Sequence, residues 1–194
     1  MKVNLYSMLF GMIGIMPIID SISGAFHESY PVGQLYRIVF FVYVLFLMTK
    51  NARKDFLALA SAFFLFIGVQ IVVSIPGGYI VKSIQDTIKL FTPIFMVALF
   101  QALLKKEKIK SSEVFSLLDR WSLLYPLLIL IPSTLGLSGA AYGEGVGFKG
   151  FFYATNEISF IMSSLVIYRF YVFSQELSLK NLMLMALNTV CLLL

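Results

Sequence analysis

The chain has 194 residues, of which 59% are apolar and only 13% are charged, and its mean hydropathy is +0.90. Soluble domains carry about 25% charged residues, so this composition excludes a soluble globular enzyme and a disordered chain. The formal net charge of +5 comes from short basic runs between apolar stretches, a pattern that sets membrane orientation and does not indicate a nucleic-acid binder. With one cysteine, Cys191, and one histidine, His27, the sequence offers no cysteine or histidine metal site.

Apolar stretches of roughly 20 residues, the length that crosses a bilayer, recur along the chain. Complete spans are predicted at 3–19, 35–48, 56–75, 87–104, 121–137 and 155–173. A seventh apolar run begins near Leu182 and continues to Leu194, which is too short to cross. We therefore expect an all-α, polytopic integral membrane helix bundle, in which 1–194 form a single transmembrane domain of about six complete spans plus a truncated seventh. This predicts the N-terminal part of a longer protein, and the alternative is a re-entrant or interfacial tail.

Lysine and arginine are distributed unequally between alternate loops. One set of loops holds nine of these residues and the opposite set holds four. The four are Arg37, Lys82, Lys89 and Lys149. Arg120 and Arg169 lie near the ends of predicted spans, on the side of the nine. The positive-inside rule therefore predicts a cytoplasmic N-terminus and an outward-facing glycine-rich loop at 138–150.

The predicted outer loop contains GVGFKG, residues 145–150, which matches the dinucleotide fingerprint G-x-G-x-x-G. No preceding strand, surrounding soluble strand–helix–strand unit or downstream acidic residue accompanies it, so we exclude a nucleotide site. The following Thr155, Asn156 and Glu157 are instead typical of a helix start. Two interpretations stay open: these residues only cap the helix, or the helix start and Lys149 receive a phosphate group.

A second candidate feature is the spacing of charges before the fourth span. Lys82, Asp86 and Lys89 fall at i, i+4 and i+7, so they are predicted to share one helical face. In one interpretation the lysines reach lipid head groups or pair with Asp86. In the other, they and Arg37 gather an anionic lipid-linked substrate at the outer side.

The segment GFKGFFYATNEIS, residues 147–159, resembles the part of the O-antigen ligase and polymerase superfamily that leads into a membrane helix. Family members show a glycine, an aromatic residue and then an asparagine at the outer face. These correspond here to Gly150, Phe151 or Phe152, and Asn156, which Glu157 follows. Family members often carry an arginine shortly before the glycine, and Lys149 is the cation there in this chain.

The chain is also similar to the family in its general layout of many spans and short loops. An Asp-then-Gly stretch after the first span, Asp20 and Gly24, is expected at the outer side. Within the first span, Gly11 and Gly14 are predicted to let helices approach closely.

The resemblance implies transfer or polymerisation of a glycan carried on a polyprenyl pyrophosphate, at the outer face of the bacterial plasma membrane. It implies lipid and oligosaccharide partners, no nucleic acid and no metal or soluble cofactor. Basic residues would stabilise the pyrophosphate leaving group while a base activates the acceptor hydroxyl. The candidate substrate-binding residues are Arg37, Lys82, Lys89, Lys149, Asn156 and Glu157, and the catalytic base is unknown.

The key arginine and histidine of the family lie in an outer loop of its second half, so the 194-residue chain alone is expected to be inactive. Two alternatives stay open. A transporter or flippase component would favour broken helices and charges deep within spans. A non-catalytic membrane scaffold would need no outer basic cluster.

Overall fold

Most of the residues that the structure describes are in α-helices. The computed structural model describes residues 4–25, 32–137, 140–142, 146–148, 150–152 and 155–193. The helices are α1 (Leu5–Ala25), α2 (Val32–Asn51), α3 (Arg53–Ser74), α4 (Ile80–Lys105), α5 (Ser111–Thr134), α6 (Thr155–Gln175) and α7 (Leu179–Leu193). The predicted all-α class is confirmed.

The helices α1 to α6 each contain a stretch long enough and apolar enough to cross a membrane. The chain is therefore a multi-pass membrane protein, as the apolar runs predict. Helix α7 is shorter, with 15 residues. One difference concerns α1, which continues through Asp20 and Gly24 to Ala25. Both residues therefore lie in the helix and not in a loop after it, because the apolar run alone underestimates how far the backbone hydrogen bonds continue.

A short β-hairpin interrupts the helices between α5 and α6. Strands β1 (Ala140–Tyr142) and β2 (Val146–Phe148) pair antiparallel, with Ala140 opposite Phe148 and Tyr142 opposite Val146. The sequence predicts only a glycine-rich loop here. Strands of three residues are too short for the alternating apolar pattern that reveals a strand.

The chain divides into two compact units. The central unit comprises residues 34–111 and the terminal unit comprises residues 1–33 and 112–194. In the central unit, phenylalanine rings join α2, α3 and α4. The rings of Phe41 and Phe63 are 5.4 Å apart between centroids, those of Phe63 and Phe91 are 5.3 Å apart, and Phe95 meets Phe41 edge-on at 5.6 Å. The Phe41–Phe63 pair is tilted, and the other two pairs have the edge-on geometry that is favourable for aromatic rings, so the unit has a packed core.

The core of the terminal unit lies between α5, α6 and α7. Buried Tyr125 and Ile129 of α5 pack with Met162 and Leu165 of α6 and with Cys191 of α7. Since lipid tails are as apolar as these side chains, the stability of this core depends mainly on close packing and on polar contacts between helices.

Candidate functional site

The N-terminal parts of α2 and α4 are joined by a hydrogen bond in the central unit. Gln85 Nε2 donates a hydrogen bond of 2.9 Å to Gln34 Oε1, which fixes the two helix starts relative to each other. Half-buried Arg37 follows Gln34 by three residues on α2. Arg37 therefore belongs to the same end of the unit as Lys82, near the start of α4.

Lys82, Asp86 and Lys89 lie on α4 at positions i, i+4 and i+7, on one helical face as predicted. The buried side of this helix is formed by Thr87, Phe91 and other residues spaced by four, whereas all three charged side chains are exposed. Lys89 Nζ lies 4.0 Å from Asp86 Oδ1. Because the pair is exposed, it leaves the lysine charge accessible to a ligand and contributes little to stability.

The backbone just before α6 is held against α5 by a glycine. Gly150 has φ +60°, and a Cβ added there would lie 2.4 Å from the carbonyl oxygen of Leu128. Only glycine fits such a contact, since any side chain would clash with backbone and strain its own conformation. Two residues later, buried Phe152 stacks on Tyr125 with centroids 5.6 Å apart. Gly150 and Phe152 of the segment 147–159 are therefore part of the packing of this unit.

Three predicted site residues belong to this segment. Lys149 lies outside the described part of the chain, as do the side chains of Asn156 and Glu157. The backbone of Asn156 and Glu157 is in the first turn of α6, which begins at Thr155 as predicted.

The prolines of α5 free two carbonyl groups for contacts with other elements. In an α-helix the N–H of residue i donates to the carbonyl of residue i−4, and proline has no N–H. Pro126 therefore frees the carbonyl of Ser122, and Pro132 frees that of Leu128. The Leu128 oxygen is the one that faces Gly150, and the Ser122 oxygen accepts a hydrogen bond from α7. Helix α5 therefore lacks two intrahelical hydrogen bonds at the positions where Gly150 and α7 contact it.

A buried arginine joins α6 to α5. Arg169 is 3% exposed, and its Nη2 lies 2.9 Å from Asp119 Oδ1. Its Nε donates to Ser122 Oγ at 2.6 Å, and its Nη2 also donates to the Asp119 carbonyl at 3.2 Å. Tyr168 donates to the same Asp119 carboxylate at 2.9 Å. This network satisfies the guanidinium within the protein.

Sequence reasoning missed this network, because it treated Arg169 as a residue near the end of a span. The usable signal is that Arg169 and Asp119 are charged residues in otherwise apolar helices, where such residues generally have a partner. The identity of the partner was not readable, since about 50 residues separate the two positions along the chain.

The predicted site residues fall into two groups. Arg37, Lys82 and Lys89 belong to the central unit, and Lys149, Asn156 and Glu157 belong to the terminal unit. Among the described residues, no group of three or more His, Cys, Asp or Glu side chains is arranged to hold a metal ion. Comparison with family models, with curated proteins and with solved structures finds no match for this chain.

Proposed function

We propose that this chain is a membrane component of surface polysaccharide assembly that acts on a glycan carried by a polyprenyl pyrophosphate. The reaction takes place at the outer face of the bacterial plasma membrane, with the N-terminus in the cytoplasm. The proposed activity is that of an O-antigen or capsule repeat-unit polymerase or ligase of the glycosyltransferase type.

The observation that carries the proposal is the conformation of Gly150. If Gly150 were in an ordinary loop, the resemblance of segment 147–159 to the O-antigen ligase and polymerase superfamily would be best explained as chance. Instead, this glycine has a positive φ and contacts the Leu128 carbonyl, where no other residue fits. In the sequence Lys149 directly precedes this glycine and lies six positions before the start of α6 at Thr155, and we propose that this cation acts together with the helix N-terminus. Backbone N–H groups at such a terminus favour a phosphate group.

The charges of the central unit support the same substrate class. Lys82 and Lys89 are exposed on α4, and Asp86 Oδ1 lies 4.0 Å from Lys89 Nζ. Cations at a membrane surface attract an anionic lipid carrier and stabilise negative charge as the pyrophosphate leaves. In this proposal Arg37, Lys82 and Lys89 of the central unit attract the anionic carrier. Lys149, Asn156 and Glu157 of the terminal unit bind and orient the diphosphate at the start of α6.

The test uses the full-length protein in cells that assemble the polysaccharide. Arg37→Ala and Lys149→Ala are each expected to shorten the glycan chains, which gel electrophoresis of the polymer measures. Lys106→Ala removes a lysine that lies just after the other end of α4 and serves as the matched control, so it is expected to leave chain length unchanged. Unchanged glycan length in both Arg37→Ala and Lys149→Ala would overturn the proposal.

A second candidate, a flippase for lipid-linked glycans, is favoured by one observation, the ion pair of buried Arg169 with exposed Asp119 in the membrane helices. Its test is transport of a labelled lipid-linked glycan across proteoliposomes. If the protein is a flippase, it is expected to transport the labelled glycan, and Arg169→Met is expected to abolish this transport. The glycan-transfer proposal predicts no transport by the wild-type protein. The contacts of Arg169 agree better with a structural role that holds α6 against α5, because three oxygen atoms of α5 already accept its hydrogen bonds.

A further inference from the structure

A groove of about 730 Å³ runs between α3 and α4 in the central unit. Its volume lies in the range of about 300–1,000 Å³ that is typical of small-molecule sites. On α4 it is lined by residues at i, i+3, i+4 and i+7, which share one helical face: Ala98, Gln101, Ala102 and Lys105. Asp55 and Ala58 line it from α3. The groove therefore follows one face of each helix over about two turns.

The helices α3 and α4 are antiparallel, which decides which residues meet at each end of the groove. Only five residues, 75–79, connect them, and helices that pack together across so short a connection run in opposite directions. The ring contact agrees with this arrangement. Phe63, eleven residues before the end of α3, packs on Phe91, eleven residues after the start of α4, with centroids 5.3 Å apart. Asp55 at the start of α3 therefore lies at the same end as Lys105 at the end of α4.

This end of the groove is strongly basic. Residues 50–55 and 105–110, which meet there, include seven lysines and arginines and two acidic residues. The groove itself is lined by two of the cations, Lys105 and Lys106, and by one carboxylate, that of Asp55. These three side chains are exposed and form no ion pair or hydrogen bond with any residue that the structure describes. An excess of positive charge is therefore open to a ligand.

Small residues line the groove away from its charged end. Such residues often bring membrane helices into close contact, but in this chain they also leave open space. On α1, a Cβ added at Gly11 would meet nothing within 4 Å, and one added at Gly14 would meet only Leu117 Cδ1 at 3.8 Å, so these glycines do not make the close contact that the sequence predicts. In the groove, Ala58 and Ala98 leave apolar space within two membrane-spanning helices, which matches an acyl chain.

We propose that the groove between α3 and α4 binds one anionic phospholipid. Its phosphate contacts Lys105, with the charge of Lys106 beside it, and an acyl chain follows Ala98 and Ala58 toward the middle of the helices. Basic groups between membrane helices attract lipids of net negative charge. Phosphatidylglycerol has this charge, whereas the ammonium of phosphatidylethanolamine would lie among the lysines.

The lipid site is separate from the proposed glycan site. Lys105 follows Lys82 by 23 residues on α4, or about 35 Å along the helix axis, and the hydrocarbon core of a bilayer is about 30 Å thick. The two sites are therefore at opposite ends of the same span. Loss of this lipid is expected to leave glycan chain length unchanged, so either proposal can fail without the other.

The experiment measures the lipid retained by the purified full chain after reconstitution in vesicles of phosphatidylglycerol, phosphatidylethanolamine and phosphatidylcholine in equal amounts. After transfer to detergent, native mass spectrometry counts the bound lipids. The wild-type chain is expected to retain phosphatidylglycerol in preference to the other two. Lys105→Gln is expected to lower this retention about fivefold, the factor for loss of one basic residue near an anionic lipid. Asp55→Asn is expected to raise it, because a carboxylate no longer repels the phosphate.

Two matched pairs of variants separate the groove from its surroundings. Lys108→Gln removes an exposed lysine that follows α4 outside the groove lining, and it is expected to retain the wild-type amount of phosphatidylglycerol. Ala58→Leu fills the groove and is expected to lower retention. Ala62→Leu adds the same bulk one turn further along α3, at an exposed position outside the lining, and is expected to have no effect. An excess of inorganic phosphate is expected to leave the lipid bound, because it cannot replace the acyl chain.

The wild-type comparison tests the proposal even if Lys105→Gln fails to fold. Equal retention of the three lipids, or a preference for phosphatidylethanolamine or phosphatidylcholine, overturns it. So does displacement by inorganic phosphate, which would mean that the groove binds free anions. Lower retention in Asp55→Asn would mean that the head group brings a cation to this carboxylate. Equal losses in Lys105→Gln and Lys108→Gln would show a diffuse surface charge in place of a defined site.

Discussion

Asn188 Nδ2 on α7 donates a 2.7 Å hydrogen bond to the carbonyl oxygen of Ser122 on α5. That carbonyl has no donor within its own helix, because the residue four positions later is Pro126. Asn188 is fully buried and also donates to the Leu184 carbonyl at 2.8 Å. A polar side chain on one membrane helix thus replaces the backbone donor that proline removes from another, which ties α7 to α5.

Because these two residues act on the same carbonyl, their substitutions are expected to be coupled. Asn188→Ala should destabilise the protein by about 1–3 kcal/mol, the cost of a buried carbonyl left without a partner. In a Pro126→Ala background the new N–H of residue 126 serves the Ser122 carbonyl, so Asn188→Ala should cost less. Unfolding in mixed micelles gives the four free energies of this double-mutant cycle. Additive effects would show that Asn188 acts independently of the proline.

Gly150 and Gly136 form a matched pair for testing the contact before α6. Both have positive φ, +60° and +69°, but only Gly150 faces backbone, whereas a Cβ at Gly136 meets nothing within 4 Å. Gly136→Ala is expected to cost about 1–2 kcal/mol for the left-handed conformation. Gly150→Ala is expected to cost clearly more, because the Leu128 carbonyl must also move. Equal losses of thermal stability in the two variants would contradict the clash.

The Arg169–Asp119 pair is expected to show an asymmetry between single and double substitution. Asp119→Ala leaves a buried guanidinium without its carboxylate and should cost about 2 kcal/mol. This is less than for a fully buried pair, because the Asp119 side chain is 53% exposed. The Asp119→Ala/Arg169→Met double variant removes the uncompensated charge and should recover much of the loss. Asp86→Ala, at the exposed pair on α4, should cost less than about 1 kcal/mol. A double variant less stable than Asp119→Ala would refute this interpretation.

The phenylalanine core of the central unit can be tested with neighbouring rings of opposite exposure. Phe95 is 0% exposed among the rings of α2 and α3, and Phe64 is 68% exposed. Phe95→Ala should cost about 2 kcal/mol, chiefly from the cavity it leaves, since lipid provides little hydrophobic driving force between helices. Phe64→Ala should cost almost nothing. Chemical denaturation in detergent compares them, and similar losses would mean that the rings do not form a packed core.

Reporter fusions test the orientation on which the outer-face proposal depends. A reporter that is active only outside the cytoplasm is expected to be active when fused at Gly143 and inactive when fused at Lys106. The opposite result would place the cations of the proposed substrate site in the cytoplasm and overturn the proposal.

Helical periodicity was enough to predict part of the candidate site. The spacing of Lys82, Asp86 and Lys89 put them on one face, and the structure adds an Asp86–Lys89 ion pair. The start of α6 at Thr155 was also readable, because capping chemistry is local. The role of Gly150 was not readable, since its constraint comes from the Leu128 carbonyl of another helix.

The number of the membrane helices and the location of their apolar centres were determined by the sequence alone, because the apolarity of a span is a property of consecutive residues. The helix ends were not, since α4 and α5 begin at Ile80 and Ser111, before the predicted spans 87–104 and 121–137. Tertiary structure decided which polar groups meet. Arg169 and Ser122 are separated by 47 residues, and Asn188 and Ser122 by 66. Their pairing depends on which helices are neighbours and how each is rotated about its axis. In an apolar surrounding these rotations are set by packing and by the demand that every buried polar group find a partner.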